Sequence, residues 1–217
     1  MSARLGTVVV LNGVPRSGKS TIAAALQRRF SRPLIALGVD AYVAMTPERF
    51  RPGLGLRPGG ERPDLEPLVV ALYSALYESV AAHGRLGLDV VVDVGHHDDF
   101  SMPLGTLRLA ARSLMGLPAY LIGVRCPLDV IMQRRHADSG GSYATSQPDG
   151  GVPEPVLRWQ RAVHEPGVYD LEVNTAAAKP DECADAILAR VSAGPGRAFG
   201  RLRNSPTAEG SAQPAIS

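Results

Sequence analysis

Lysine is scarce in this 217-residue chain, because only Lys19 and Lys179 among its 23 basic residues are lysines. Neither lysine follows an asparagine, so the Asn-Lys-x-Asp motif with which GTPases bind guanine is missing. The Val-Ala-Ile-Lys and His-Arg-Asp motifs of protein kinases are missing as well. These absences argue against both classes of nucleotide-dependent protein.

Long hydrophobic runs and cysteines are also few. The apolar runs, such as residues 8–11 and 90–92, fall far short of the roughly 20 residues that a membrane-spanning helix needs. No signal-peptide pattern precedes the first run, and the two cysteines, Cys126 and Cys183, show no metal-ligand spacing. We therefore expect a cytoplasmic protein with reduced thiols and no membrane partner.

A basic surface for nucleic acid is lacking in the part of the chain that we expect to fold. The formal net charge of +2 equals the charge of residues 194–217, which hold three arginines and one glutamate, so residues 1–193 are neutral. Residues 194–217 are also rich in Gly, Pro and Ser and poor in large apolar side chains. We expect one domain over residues 1–193, a flexible C-terminal tail over residues 194–217, and no nucleic-acid partner.

Two kinds of apolar segment alternate along the chain. Short β-branched or apolar runs are typical of buried strands, and each is followed by a segment with apolar residues at helical spacing. This alternation predicts an α/β fold in which a parallel sheet carries helices on both faces. The five predicted strands cover residues 5–11, 34–37, 88–94, 119–124 and 169–173.

Residues 13–20 match the phosphate-loop pattern G-x-x-x-x-G-K-[ST] in full, between a predicted strand and a predicted helix. In that setting backbone N–H groups and the positive end of the helix dipole converge on a phosphate-sized concavity. We expect Lys19 to reach the β- and γ-phosphates of ATP and the Ser20 hydroxyl to bind Mg2+. The predicted nucleotide-binding residues are Gly13, Val14, Pro15, Arg16, Ser17, Gly18, Lys19, Ser20 and Thr21.

Two aspartates follow predicted strands at the edge of the sheet where ligands of α/β folds bind. Asp40 comes after the second strand, and Asp93 ends the third. A carboxylate beside the γ-phosphate can accept the proton of an attacking hydroxyl, and another can hold Mg2+ through water. We predict that Asp93 shares the metal with Ser20. For Asp40, capping the N-terminus of the following helix is an equally good interpretation of the position alone.

Several segments, in order along the chain, resemble the chloramphenicol phosphotransferase family: residues 13–20, Leu-Gly-Val-Asp at 37–40, Val-Val-Val-Asp at 90–93, Ile-Gly-Val-Arg-Cys at 122–126, and residues 163–175. The resemblance implies a P-loop kinase fold like that of the shikimate and adenylate kinases, with a lid. It also implies transfer of the γ-phosphoryl group of ATP to a hydroxyl of an antibiotic. The family's general base corresponds to Asp40, which favours that role over the cap.

The lid of this family carries arginines that close over the phosphates of ATP. The resemblance implies that Arg134 is the first of them, with Arg135 beside it as a substitute. An arginine there would neutralise charge that develops on the transferring phosphoryl group. We place the lid at about residues 136–155. The second lid arginine has no clear counterpart, and Arg158 and Arg161 are the candidates.

The acceptor pocket is predicted to be mainly apolar and aromatic, which suits a large neutral alcohol better than a small anion. Core packing explains several of these apolar side chains equally well. Four arginines of the Pro- and Gly-rich residues 45–67 favour instead an acidic or phosphorylated acceptor: Arg49, Arg51, Arg57 and Arg62. The predicted substrate-binding residues are Asp40, Tyr42, Asp93, His96 and His97, with Met45, Phe50, Phe100 and Met102 as further candidates.

The main functional hypothesis is an ATP- and Mg2+-dependent O-phosphotransferase that modifies a hydroxylated antibiotic and thereby confers resistance. Its catalytic residues would be Lys19, Asp40 and Arg134. A kinase of a small anionic metabolite or nucleoside is the alternative among enzymes, and convergent arginines in the acceptor pocket would favour it. The alternative outside enzymes is an ATP-binding switch that has no small acceptor.

Overall fold

Five strands form one parallel sheet in a computed structural model that describes residues 4–51, 62–137 and 151–204. The strands are β1 (Val8–Asn12), β2 (Leu34–Gly38), β3 (Asp89–Val94), β4 (Ala119–Arg125) and β5 (Leu171–Asn174). Their order across the sheet is β2-β3-β1-β4-β5, and every neighbouring pair is parallel. The α/β fold with a five-stranded parallel sheet is therefore confirmed.

Helices cover both faces of the sheet. One face carries α1 (Lys19–Arg29) and α7 (Pro180–Ser192), which pack together, and the other carries α3 (Glu66–Arg85) and α4 (Thr106–Ser113). The remaining helices of the core domain lie near the carboxyl ends of the strands: α2 (Val39–Met45), α5 (Leu128–His136) and α6 (Glu154–Ala162). Two short 3-10 helices, Glu48–Phe50 and Pro63–Leu65, lie in the Pro- and Gly-rich segment, of which residues 52–61 lie outside the described ranges.

Strand β1 is the centre of the hydrophobic core, because all five of its residues are buried. Val8 and Val10 join the apolar cluster under α3 and α4, while Val9 and Leu11 join the cluster under α1 and α7. Burying each of these side chains contributes about 1.5–3 kcal/mol. The loop that leaves β1 thus starts from a position that is fixed from both faces of the sheet.

Helix α3 is apolar because it belongs to the core. By length and composition, the segment Pro63–Arg85 could cross a membrane, and it is the one such segment in the described parts of the chain. Its buried stripe, which includes Val69, Leu76 and Val80, packs in the cluster that faces the sheet. Core packing therefore accounts for its hydropathy.

The predicted flexible tail is wrong for residues 198–204. These residues form α8 (Ala198–Asn204), and Phe199 and Leu202, which are 4% and 6% exposed, lie in the core cluster with α4. Two large apolar side chains three residues apart give this helix a buried face despite the Gly- and Pro-rich sequence around it. Residues 205–217, the rest of the predicted tail, lie outside the described part of the chain.

Asp170 attaches α8 to the sheet. Its carboxylate accepts hydrogen bonds from the backbone N–H groups of Arg197 (2.6 Å) and Ala198 (3.1 Å) at the start of the helix. The other carboxylate oxygen accepts the N–H of Leu121 in β4 (3.0 Å). A carboxylate in this position also interacts favourably with the positive end of the helix dipole. Because α8 is attached to the sheet in this way, the folded domain extends beyond residue 193.

Candidate functional site

The phosphate loop adopts a tight turn between β1 and α1. Gly18 has a φ of 95°, and Arg16 has a φ of 69°, both in the left-handed region that residues other than glycine rarely adopt. At Gly13 a Cβ atom would lie 2.6 Å from the carbonyl oxygen of Val124, so no side chain fits there. The backbone therefore curls closely around the N-terminus of α1, as an anion cradle requires.

Lys19 lies inside this cradle. Its Nζ donates a hydrogen bond to the carbonyl oxygen of Val14 (3.0 Å) and lies 3.4 Å from Oδ1 of Asp93, and the residue is only 8% exposed. The ammonium group is thus held at the mouth of the loop before any ligand arrives. A compact point charge fits this space, whereas the broad fork of arginine would not.

Ser20 and Asp93 meet beside Lys19. The Ser20 hydroxyl donates to Oδ2 of Asp93 (2.7 Å), and Asp93 is in register with Leu11 of β1, one residue before the end of that strand. Hydroxyl and carboxylate oxygens are hard ligands that suit Mg2+, which retains several waters or phosphate oxygens in its shell. The chemistry of this pair therefore fits the predicted metal.

Arg134 contacts the backbone of the phosphate loop. Its Nη1 donates to the carbonyl oxygen of Arg16 (3.2 Å) and to Oγ1 of Thr175 (3.0 Å), and its Nη2 donates to the carbonyl oxygen of Thr175 (3.0 Å). The Thr175 hydroxyl in turn donates to the carbonyl oxygen of Ser17 (2.7 Å). Arg134 thus supports the loop from the β5 side, and direct contact with the phosphates of ATP stays a prediction. Thr175 is a supporting residue that the sequence reasoning missed.

Asp40 lies in the first turn of α2 and is exposed. The helix has Gly38 at its N-cap and no side-chain hydrogen bond to the cap, so the capping role for Asp40 is wrong. Gly38 is in register with Asp93, which brings the two aspartates to the same edge of the sheet. Burial, with the nearby charges of Asp40 and Asp93, holds the pKa of Tyr73 well above its ordinary value. Tyr73 on α3 is a further neighbour of both carboxylates.

Tyr42 fastens α2 to α3, because its hydroxyl donates to the carbonyl oxygen of Ala75 (3.2 Å) and its ring packs against the core. Its contact with a substrate stays a prediction. Three of the other predicted pocket residues are largely exposed on this side of the molecule: Met45 (72%), Phe50 (42%) and Met102 (64%). The acceptor side thus presents apolar side chains to solvent.

His96 is a core residue, so the prediction that it binds the substrate is wrong. It is 2% exposed, and its ring nitrogens contact the Tyr77 hydroxyl (2.6 Å) and the Thr106 hydroxyl (2.9 Å). Burial lowers the pKa of His96 to about 3, so the imidazole is neutral at physiological pH. Both of its polar atoms are used inside the protein, and none is left for a ligand.

His97 points into an aromatic cluster instead. Its ring stacks on Phe100 with 4.1 Å between centroids and meets Trp159 of α6 edge-on at 4.8 Å. Burial lowers the pKa of His97 to about 4, with Asp99 acting in the opposite direction. Its Nδ1 is buried and has no hydrogen-bond partner within the part of the chain that the structure describes. His97 remains a candidate for substrate contact, and Trp159, which the sequence reasoning missed, lies beside it.

The arginines near the acceptor side have neighbours that engage them. In the Pro- and Gly-rich segment these contacts are Arg49 over the Phe50 ring (4.7 Å), Arg51 with the carbonyl of Thr46 (2.8 Å) and Arg62 with Asp64 (2.7 Å). The two lid candidates on α6 pair with Asp99 (Arg158, 3.4 Å) and with Glu154 (Arg161, 3.5 Å). Arg57 and most of the predicted lid, residues 138–150, lie outside the described ranges. Arg49 and Arg62 line one cavity together with Phe50 and Leu68, and Arg62 is paired there with Asp64.

A family model for chloramphenicol phosphotransferase-like proteins matches residues 6–192. The chain belongs to this family. A search by sequence among functionally curated proteins finds no match. The resemblance inferred from the sequence motifs is confirmed.

Solved structures, among them two kinases, share the fold of this chloramphenicol phosphotransferase-like protein. Shikimate kinase from Acinetobacter baumannii in complex with shikimate superposes with a TM-score of 0.56 at 12% identity, over 88% of this chain and 95% of that one. APS kinase from Mycobacterium tuberculosis in complex with AMPPNP and APS superposes with a TM-score of 0.58 at 18% identity, over 87% of this chain and 99% of that one. The tunicamycin resistance protein of Deinococcus radiodurans superposes with a TM-score of 0.55 at 18% identity, over 88% of this chain and 98% of that one. These likenesses establish the P-loop kinase fold.

The last segment of the family pattern, residues 163–175, lies next to the phosphate loop. Tyr169 connects the two, because its hydroxyl contacts Nδ2 of Asn12 (3.1 Å) and Nδ1 of His164 (2.9 Å). Burial lowers the pKa of His164 to about 4. This chloramphenicol phosphotransferase-like chain thus assembles its most distant sequence landmarks around the end of β1.

Proposed function

We propose that this protein is an ATP- and Mg2+-dependent O-phosphotransferase whose acceptor is a neutral hydroxylated antibiotic, and that the modification confers resistance in the cytoplasm. The family and the fold support a kinase-type phosphotransferase. The observation that carries the proposal is the meeting of Lys19, Ser20 and Asp93 at the mouth of the phosphate loop, with an exposed aspartate, Asp40, in the helix that follows the neighbouring strand β2.

The donor side would bind the triphosphate of ATP. Backbone N–H groups of residues 13–20 and the ammonium group of Lys19 would hold the β- and γ-phosphates. Ser20 and Asp93 would hold Mg2+, the latter through water, and the ion would screen the charge of the phosphates. Arg134 and Thr175 would keep the loop in its binding shape, because they fix two of its carbonyl groups.

Asp40 would act as the general base. It is exposed at the start of α2 and does not cap the helix, so its carboxylate is available to an acceptor hydroxyl. The hydroxyl proton would pass to Asp40 while the hydroxyl oxygen bonds to the γ-phosphorus and the bond to the bridging oxygen of ADP breaks. General base catalysis of this kind contributes about 10²–10⁴ in rate.

The acceptor side favours a neutral molecule. His97 is uncharged because burial lowers its pKa to about 4, and Phe100 and Trp159 surround it. The described arginines of the neighbouring segment are engaged by protein groups, as shown above. A small anion would have to displace these contacts, whereas an apolar alcohol would bury the exposed Met45, Phe50 and Met102.

Product formation tests the proposal. The protein is incubated with ATP, Mg2+ and single acceptors from two panels, neutral hydroxylated antibiotics that include chloramphenicol and small anionic alcohols such as shikimate and gluconate. We expect mass spectrometry to find one added phosphoryl group on a member of the first panel, and none with Lys19→Ala.

Other outcomes would replace the proposal in defined ways. Phosphorylation confined to anionic alcohols would establish a metabolite kinase instead. Tight binding of ATP without any phosphorylated product from either panel would favour an ATP-binding switch.

A further inference from the structure

Three segments that serve different parts of the site meet at one place. They are the end of β1 with the first loop residues (residues 12–14), the segment after β3 that carries the aromatic cluster (residues 95–100, here called the acceptor loop), and helix α6. The first would bind the donor nucleotide, and the second borders the proposed acceptor pocket.

Asn12 connects the three segments through hydrogen bonds. It is 1% exposed, and its Oδ1 accepts the backbone N–H of His96 (2.7 Å) while its Nδ2 donates to the carbonyl of Val163 (2.8 Å) at the end of α6. One side chain therefore bonds the acceptor loop and α6 to the residue that directly precedes the phosphate loop. Breaking either of these buried hydrogen bonds would leave a polar group inside the protein without its partner.

Trp159 connects the same segments through packing. A Cβ atom at Gly95 would lie 2.9 Å from Cζ3 of Trp159 and 3.1 Å from the carbonyl oxygen of Gly13, so the acceptor loop lies against both the indole and the phosphate loop. The indole also packs against the apolar cluster that contains Val14. The same indole meets the His97 ring at 4.8 Å. Such close packing transmits a shift of one segment to the other two.

Two more contacts hold α6 to both sides. Arg158, next to Trp159, forms an ion pair with Asp99 of the acceptor loop (3.4 Å). Val14 of the phosphate loop, which is 2% exposed, packs in one apolar cluster with Val156 and Val163 of the α6 region. Helix α6 thus contacts the donor loop through apolar packing and the acceptor loop through aromatic and charged contacts.

We propose that Trp159 and Asn12 are positioning residues that couple the two sites, so that a nucleotide in the phosphate loop orders the acceptor loop before the acceptor binds. This inference rests on the proposed function, because it assumes that the loop binds a nucleotide. Coupling between sites commonly amounts to 5–150-fold in an equilibrium. The predicted order of binding is nucleotide first and acceptor second.

Amide hydrogen exchange of the full chain, with and without AMP-PNP and Mg2+, tests the coupling without a known acceptor. In the wild-type protein we expect the nucleotide to protect residues 13–20 and also to slow exchange in residues 95–100 by about fivefold or more. In Trp159→Leu the protection of residues 13–20 should remain, while that of residues 95–100 should be lost. Glu154→Gln, an exposed position at the start of the same helix, should behave like the wild type.

The possible failures are distinguishable. Unchanged exchange in residues 95–100 of the wild type, with residues 13–20 protected, would overturn the coupling and leave the proposed function intact. Loss of both protections in Trp159→Leu would assign the indole a purely structural role and would also overturn it. Gly95→Ala, which places a methyl group against the indole, provides a second variant and should lose the same protection. Absence of protection in residues 13–20 of the wild type would reject the nucleotide site and the coupling together.

Discussion

The two halves of the candidate site are built in opposite ways. On the donor side, Val14, Ser17 and Lys19 are 2%, 0% and 8% exposed. On the acceptor side, neither α2 nor the short helix Glu48–Phe50 contains a buried residue. The donor side is held by hydrogen bonds from β3, α5 and the residue after β5, whereas helix α2 of the acceptor side is attached through single contacts such as that of Tyr42.

This difference matches the chemistry that each half would have to recognise. A triphosphate has the same shape in every reaction, so a preorganised cradle binds it with little loss of conformational freedom. Acceptors differ between enzymes of one fold, and exposed segments on a rigid scaffold can vary without loss of the core. Substitutions on the donor side should therefore affect folding and catalysis together, and those on the acceptor side should affect catalysis alone.

Asp40→Asn should separate the effect on catalysis from the effect on folding more than any other substitution. We expect kcat to fall about a hundredfold or more, because the amide cannot take the acceptor proton. The melting temperature and the affinity for AMP-PNP should not change, because Asp40 is exposed and does not cap α2. Steady-state assays with the identified acceptor and a thermal melt measure both quantities.

Asp64→Asn is the matched control for this variant, since Asp64 is an exposed aspartate of the same side whose ion-pair partner among the described residues is Arg62. Its kcat should stay within about twofold of the wild-type value. Equal losses in the two variants, or normal turnover by Asp40→Asn, would remove Asp40 as the base.

His96 breaks the simple contrast, because this acceptor-loop residue is as buried as the phosphate loop. Its folded pKa of about 3 lies below the ordinary histidine value, so the unfolded chain binds the extra proton first as the pH falls. The contribution of the neutral His96 to the free energy of unfolding is therefore complete above about pH 6.5, and it is lost as the pH falls toward the pKa of the folded state. By about pH 5 this linkage should lower the free energy of unfolding by about 2 kcal/mol.

Chemical denaturation at about pH 7.5 and pH 5 measures this loss. In His96→Gln the amide can still reach Tyr77 and Thr106 but cannot gain a proton, so the acid-induced loss should be smaller. His97 and His164 have lowered pKa values too, so part of the loss should remain. An identical pH dependence in His96→Gln and wild type would contradict the burial of a neutral imidazole.

The same substitution on each side gives the finest comparison. Thr175→Val removes hydrogen bonds to Arg134 and to the Ser17 carbonyl, and Thr46→Val removes one bond to the Tyr42 carbonyl (2.8 Å). We expect a loss of about 1–2 kcal/mol in unfolding free energy for Thr175→Val, because the carbonyl of Ser17, a residue that is 0% exposed, loses its hydroxyl donor. Thr46→Val should cost less than about 0.5 kcal/mol at its position near the surface.

Urea unfolding and AMP-PNP titration of both variants measure these effects. Nucleotide affinity should fall in Thr175→Val alone, since only that residue supports the phosphate loop. Equal changes in the two variants would mean that the donor side is no more preorganised than the acceptor side.

Local patterns in the sequence predicted the features that depend on neighbouring residues. The period of apolar residues predicted the strands and helices of the sheet, and the spacing of Gly13, Gly18 and Lys19 predicted the phosphate loop. The order of motifs predicted the family. Such features are encoded locally, because a strand, a helix or a tight turn is determined by residues close to one another in the chain.

Features that depend on distant partners were missed or misplaced. No residue next to His96 in the sequence indicates that its ring nitrogens form hydrogen bonds with Tyr77 and Thr106. Likewise, no residue near Phe199 indicates that Asp170 accepts hydrogen bonds from the start of α8. The paired spacing of Phe199 and Leu202 was a weak signal of a buried face, which the surrounding glycines and prolines concealed. These partners are brought together only by the folded sheet.

Trp159 is the single tryptophan of the chain. Its indole packs against the acceptor loop at Gly95 and His97 and against the apolar cluster that contains Val14 of the phosphate loop, so all tryptophan emission from this protein originates beside the site. Neither a label nor an engineered reporter is required. Ordinary fluorescence of the unmodified protein offers a direct optical titration of any molecule that disturbs this contact, including compounds screened as candidate acceptors.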